Sequence, residues 1–213
     1  MAVLPLAIRR GAREHDGMQI DIVVFDGFDE LDALAPYEVL RTAAAHGAQI
    51  QADLVGVHGP ATVTASHGAR IAVDRGPSEA ASMLMVPGGG WFHGAGVRSE
   101  LERGDLPRLL VEAHERGAIL ASVCTGAMLL AAAGLTEGRR ATTHHDAFDD
   151  LRSFGAEVVE ERFVDDGDLL TAGGVTSGID LALHIVEKVA GATVAEKVAR
   201  EIEYDRRGQP SAA

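Results

Sequence analysis

Short apolar runs alternate with amphipathic stretches along most of the chain. Residues 19–25 (QIDIVVF) form a β-branched run that stops at DGFDELD, the pattern of a buried strand entering a loop. Residues 33–46 carry helical periodicity, with Gly47 as a stop and Pro36 best placed in the first turn. Residues 49–57 predict a second strand. Residues 58–74 place Gly and Pro turns between β-rich pieces and predict a small hairpin or edge strands. MLMV at 83–86 is a strand running into PGGG. Residues 106–117 are an amphipathic helix closed by glycine. AILASV at 118–123 is a strand leading into Cys124, and TGAMLLAAAG after it is a helix of small and apolar residues.

Beyond that, residues 145–155 predict a short helix. Residues 157–174 predict two strands around the turn Asp165-Asp166-Gly167. Residues 176–191 predict a long helix, with Ser177 and Asp180 at capping-box spacing, and residues 192–208 a final one. Strand and helix in alternation argue for a mostly parallel sheet covered on both faces. Residues 19–205 read as one domain, 1–18 as a flexible extension and 206–213 as a flexible tail. The loops DGFDELD, PGGG and VCTG all follow strands, and ligands of such sheets sit at those carboxyl ends.

Composition narrows the function. A net charge of -13 lacks the clustered Lys and Arg of a phosphate-backbone footprint, so nucleic acid is not an expected partner. No run approaches the ~20 apolar residues of a membrane span. The first apolar piece precedes Arg9 and Arg10, the reverse of a secretory signal. A single cysteine forms no internal disulfide and points to a reducing, cytoplasmic setting.

That cysteine is the centre of the candidate chemistry. A residue wedged between a buried strand and a helix, with Thr125, Gly126 and Ala127 behind it, occupies a sharp turn that lifts a nucleophile above the sheet. A helix N-terminus there predicts a thiol of lowered pKa; a buried, inert cysteine is the alternative. PGGG (Gly88, Gly89, Gly90) offers backbone N–H groups that could bind an oxyanion or a thiolate, or is a plain tight turn. Asp32, flanked by Leu31, Ala33 and Leu34, is a candidate proton carrier, with a helix N-cap as the other reading. His144 and His145 follow at a distance that lets one of them approach the site. No cluster shows metal-ligand spacing, so no metal is expected.

The runs SVCTGAMLLAAAGLTEGRRATTHH and GDLLTAGGVTSGIDLALHIVE, with LDALAPYEVL and VPGGG upstream, resemble the ThiJ/PfpI superfamily, the cysteine branch of the glutamine amidotransferase-like fold. S-V-C-T-G, G-R-R-A-T-T-H and L-L-T-x-G-G are most similar to its isonitrile hydratase branch, in which Trp takes the place of His145. The resemblance implies a flavodoxin-like three-layer α/β sandwich with a nucleophile-elbow cysteine, and a homodimer. It implies Cys124 as nucleophile, Asp32 as acid–base carboxylate and Thr125 as a supporting neighbour. Gly88, Gly89, Gly90, Gly173, Val175 and His145 would then border a small-molecule substrate, with no cofactor. The implied activity is hydration of an isocyanide to a formamide. A glyoxalase or deglycase acting on reactive carbonyls, or a sensor module with an oxidisable thiol, are the alternatives.

Overall fold

The computed structural model describes residues 17–208; residues 1–16 and 209–213, and with them most of the two segments read as flexible ends, lie outside the described residues. In chain order the elements are β1 (Met18–Val24), α1 (Glu30–Ala45), β2 (Ile50–Gly56), β3 (Ala61–Thr64), β4 (Arg70–Val73), β5 (Met83–Val86), α2 (Val97–Arg103), α3 (Asp105–Glu115) and β6 (Ile119–Val123). They continue with α4 (Ala127–Ala132), β7 (Arg140–Ala141), α5 (Phe148–Ser153), β8 (Glu157–Val158), β9 (Phe163–Asp165), β10 (Leu169–Ala172), α6 (Ser177–Ala190) and α7 (Ala192–Glu201).

Six strands form one sheet in the order β2-β1-β5-β6-β10-β9. All pair in parallel except β9, which returns antiparallel beside β10 through the Asp165–Gly167 turn. This is the flavodoxin-like α/β sandwich. Helices α1, α6 and α7 pack together, as do α2, α3 and α4, and the two groups flank the sheet. The central strands are apolar on both faces because both are covered: Ile20, Ile22, Leu84, Met85 and Leu120 are fully buried. β3 and β4 form the expected hairpin. Chain order reverses between β1 and β5, so the crevice of an open α/β sheet falls between the loops that leave those two strands.

Four local expectations change. Helix α1 starts at Glu30, because the Asp29 side chain accepts the Leu31 N–H at 3.1 Å and caps it. Pro36 therefore sits in the second turn, where its missing N–H leaves the Asp32 carbonyl without its helical donor. Helix α2 was not legible, since seven residues between Gly96 and Gly104 carry too little periodicity. The Ser177/Asp180 capping box does not form. Asp180, almost fully buried, instead holds the Arg162 guanidinium, the Tyr204 hydroxyl (2.8 Å) and the Arg207 N–H (2.7 Å). A carboxylate cut off from water gains more from a guanidinium than from a helix end. Finally, β1 begins at Met18, inside the span read as an extension.

Candidate active site

The site grows from the end of β6. Val123 is extended (φ -122°), and the next residue, Cys124, turns to φ 57°. That left-handed conformation is strained for a residue with a side chain and persists only where the surroundings hold it. Here they do. The Cys124 N–H donates to the Gly173 carbonyl at 2.9 Å, and its carbonyl accepts the Thr143 hydroxyl at 2.9 Å. Gly126 is required two residues on: a Cβ there would sit 2.4 Å from the Val86 carbonyl oxygen.

The glycine turn after β5 serves the side chains around it. The Gly88 N–H donates to Asp32 Oδ2 at 2.9 Å, and the Gly89 N–H to Thr125 Oγ1 at 3.0 Å. Their carbonyls accept the N–H groups of Asp29 (2.8 Å) and Val97 (2.9 Å). The Gly88 and Gly89 donors are therefore engaged within the protein, which removes these two from the oxyanion or thiolate cradle read from PGGG. A Cβ at Gly88 would fall 2.6 Å from Thr125 N and Oγ1 and 2.9 Å from Asp32 Oδ2. Only glycine lets the three loops meet this closely.

Asp32 lies in the first turn of α1, wholly buried. Its Oδ1 has no hydrogen-bond partner among the described residues. Burial, followed by the negative charge of Asp29, raises its pKa to about 7, against the Gly88 N–H and the Cys124 thiol, which favour the charged form. Cys124 is pushed up to about 12, first by burial and then by the Asp32 charge; the backbone N–H groups of Thr125 and Val175 oppose this. The lowered thiol pKa expected from a helix N-terminus is absent. The first turn after Cys124 is a tight 3-10 turn and α4 has only six residues, so little dipole is aimed at the sulfur. The two groups titrate as a pair, the carboxyl losing its proton first.

Cys124 and Thr125 open onto a cleft of about 170 Å³. Gly89, Gly90 and Asp29 line one side. Trp91, Phe92 and His93 line another, and His144, Asp146 and Val175 complete the wall. Of the residues singled out from the sequence, Cys124, Thr125, Gly89, Gly90 and Val175 meet at this cleft. Asp32, Gly88 and Gly173 lie beneath it and hold it. His145 does not line it: its ring stacks on His144 at 4.2 Å and faces outward, and His144 lies against Gly174 and takes the wall position. The His144 pKa is lowered by burial and by His145. Sequence reasoning missed Asp29, Asp146 and the Trp91–His93 wall. Asp29 was visible as part of the acidic loop; the others are brought in by tertiary packing alone. The Trp91 indole N–H, for instance, donates to Asp150 at 2.6 Å.

A larger hollow of about 500 Å³, bordered by Tyr37, Arg41 and Glu201 on α1 and α7, holds no nucleophile. Among the described residues, His144, His145 and Asp146 are the one group whose donor atoms could approach a common ion. A metal must lie in the plane of each imidazole that binds it, however, and two stacked rings only 30° apart do not converge on one point. No helix among the described residues is long and apolar enough to cross a membrane.

The chain is similar to known proteins in sequence and in fold. The model of the DJ-1/PfpI family matches residues 18–188. The isonitrile hydratase of Pseudomonas putida is 34% identical over 189 residues, 88% of this chain and 78% of that protein. Protein DJ-1alpha of Drosophila melanogaster is 26% identical over 184 residues, 84% of this chain and 81% of its own. Among solved structures, a ThiJ/PfpI family protein from Pseudomonas syringae superposes with a TM-score of 0.79 at 27% identity, covering 92% of this chain and 79% of that one. Drosophila melanogaster DJ-1beta superposes at 0.76 with 23% identity over 89% of this chain and 99% of its own, a likeness of fold. A family model that spans residues 18–188 and a relative 34% identical over most of the chain, on a flavodoxin-like sheet, make this chain a member of the DJ-1/PfpI family.

Proposed function

We propose that this protein is a cysteine-dependent hydratase that adds water to a small isocyanide and releases the N-substituted formamide. One observation carries the reading. The wholly buried Asp32 carboxyl keeps one oxygen, Oδ1, free of any partner among the described residues, the Cys124 thiol and this carboxyl perturb each other's ionisation, and the carboxyl is raised to about 7, where it can both take and give a proton. The similarity to an isonitrile hydratase over most of the chain supports it.

The chemistry follows from that pair. Asp32 takes the thiol proton as Cys124 Sγ bonds to the terminal isocyanide carbon. The same carbon then receives the proton from the Asp32 carboxyl, leaving a thioimidate, R–N=CH–S–Cys124. Asp32 next takes a proton from water as its oxygen adds to that carbon, and the proton passes to nitrogen. The tetrahedral adduct R–NH–CH(OH)–S–Cys124 then breaks its C–S bond. The hydroxyl proton returns through Asp32 to sulfur, and R–NH–CHO leaves. The N–H groups of Thr125 and Val175, which favour a charged sulfur, stabilise it as it enters and departs. A thiol pushed up to about 12 rests protonated, so its proton leaves only as the sulfur bonds to carbon, with Asp32 as the acceptor. It weighs against the oxidation-sensing alternative, which needs a standing thiolate.

The test is incubation with para-nitrophenyl isocyanide while formamide is followed by absorbance and chromatography. Turnover is expected for the protein and none for Cys124→Ala. Equal formamide release by the protein and that variant would refute the proposal, as would no release from any isocyanide by folded protein.

A further inference from the structure

We infer that the Cys124 cleft selects by charge, admitting neutral or cationic small electrophiles and turning anionic ones away. The observation is the unbalanced sign of its lining. The carboxylates of Asp29 and Asp146 both border the cleft, and no lysine or arginine among the described residues does. Asp29 caps α1 with one oxygen and has no ion-pair partner among the described residues. Among the described residues the Asp146 carboxylate is met only by the imidazoles of His144 (3.6 Å) and His145 (3.2 Å), and by no lysine or arginine. Arg98 does not line the cleft: its guanidinium is held on the Trp91 ring at 4.3 Å and donates to the Trp91 carbonyl at 3.0 Å.

The field reaches the reacting groups. The negative charge of Asp29 raises the pKa of both Cys124 and Asp32. The exposed ring of Phe92 adds a face on which a cation or an apolar group can rest. Buried Asp32 carries the reacting proton, so the two rim carboxylates have no place in that chemistry and are left to sort what approaches. In substrate terms the inference rests on the hydratase reading: the isocyanide would carry an apolar or amine-bearing group, not a carboxylate or phosphate.

Two measurements separate the inference from that reading. The first uses the thiol alone. Cys124 is modified at pH 8 with methanethiosulfonate reagents bearing a trimethylammonium or a sulfonate group, each rate divided by that for a small free thiol. Two carboxylates at the rim of a partly wet cleft favour the cation on the order of tenfold at low salt, and severalfold less at 0.5 M. Asp29→Asn, which keeps a good helix cap, and Asp146→Asn should each lower the ratio about threefold. Asp149→Asn, at a position fully open to water, changes the net charge equally and should leave the ratio alone. The second measurement compares para-aminomethyl-, para-methyl- and para-carboxyphenyl isocyanide by kcat/KM, with the carboxylate expected to be slowest. A normalised ratio near one, or one that Asp149→Asn moves as far as the cleft variants do, overturns the inference. So does a carboxylate isocyanide turned over as fast as the others. If no isocyanide reacts but the thiol ranking and its response to Asp29→Asn hold, the hydratase reading fails and the charge selection stands.

Discussion

Replacing Asp32 by Asn removes a carboxyl that the fold makes expensive to ionise, and the structure sets both the sign and the size of the effect. Its folded pKa of about 7 lies above the ordinary 3.8, so the native state holds this proton more tightly than the unfolded chain does. A raised carboxyl pKa contributes most below the unfolded value and costs stability as pH rises toward the folded one. The two pKa values convert to a cost of about 4 kcal/mol at pH 8 but under about 2 kcal/mol at pH 5. Asn keeps an oxygen to accept the Gly88 N–H at the observed 2.9 Å and carries no charge. Asp32→Asn should therefore be more stable than the parent at pH 8, and its advantage should shrink by about 2–3 kcal/mol between pH 8 and pH 5. Urea unfolding of both proteins across that range measures it, because the pH dependence of groups not coupled to Asp32 cancels in the difference. The same change removes the second cause of the high thiol pKa, so alkylation of Cys124 should begin at lower pH in the variant. A variant equally destabilised at both pH values, or a thiol profile unmoved, would refute the coupling of buried carboxyl and thiol. Formamide release should nonetheless fall on the order of a hundredfold or more, since the proton carrier is gone.

Two other outcomes follow from the packing. Gly88→Ala drives a methyl into Thr125 and Asp32, so a loss of about 2–4 kcal/mol in urea unfolding is expected, with altered Cys124 alkylation; a wild-type value for both would contradict the crowding. Arg162→Met strips the guanidinium from buried Asp180 and leaves it only the Tyr204 and Arg207 donors, at a cost of about 3 kcal/mol in the same assay, whereas Met at a dispensable surface pair would cost almost nothing.

Much of this protein was legible in one dimension because its strands are covered on both faces. Buried strands such as β1, β5 and β6 must be short apolar runs, and the glycines that end them mark where the chain turns, so the sheet and the C-T-G turn could be read directly. Cys124, Thr125 and the glycine turn were found for the same reason: a sharp strand-to-helix bend demands small residues behind it. What a side chain does inside that frame depends on neighbours distant in the chain. Only the fold showed that the Gly88 and Gly89 donors are spent on Asp32 and Thr125, residues 56 and 36 positions away. Only the fold put His144 in the wall in place of His145, and gathered Asp29 and Asp146 at one rim. The thiol pKa went furthest from expectation. A helix start in the sequence predicts a stabilised anion, but burial and an adjacent carboxylate are properties of tertiary packing, and at this site they outweigh the few backbone dipoles that the local sequence supplies.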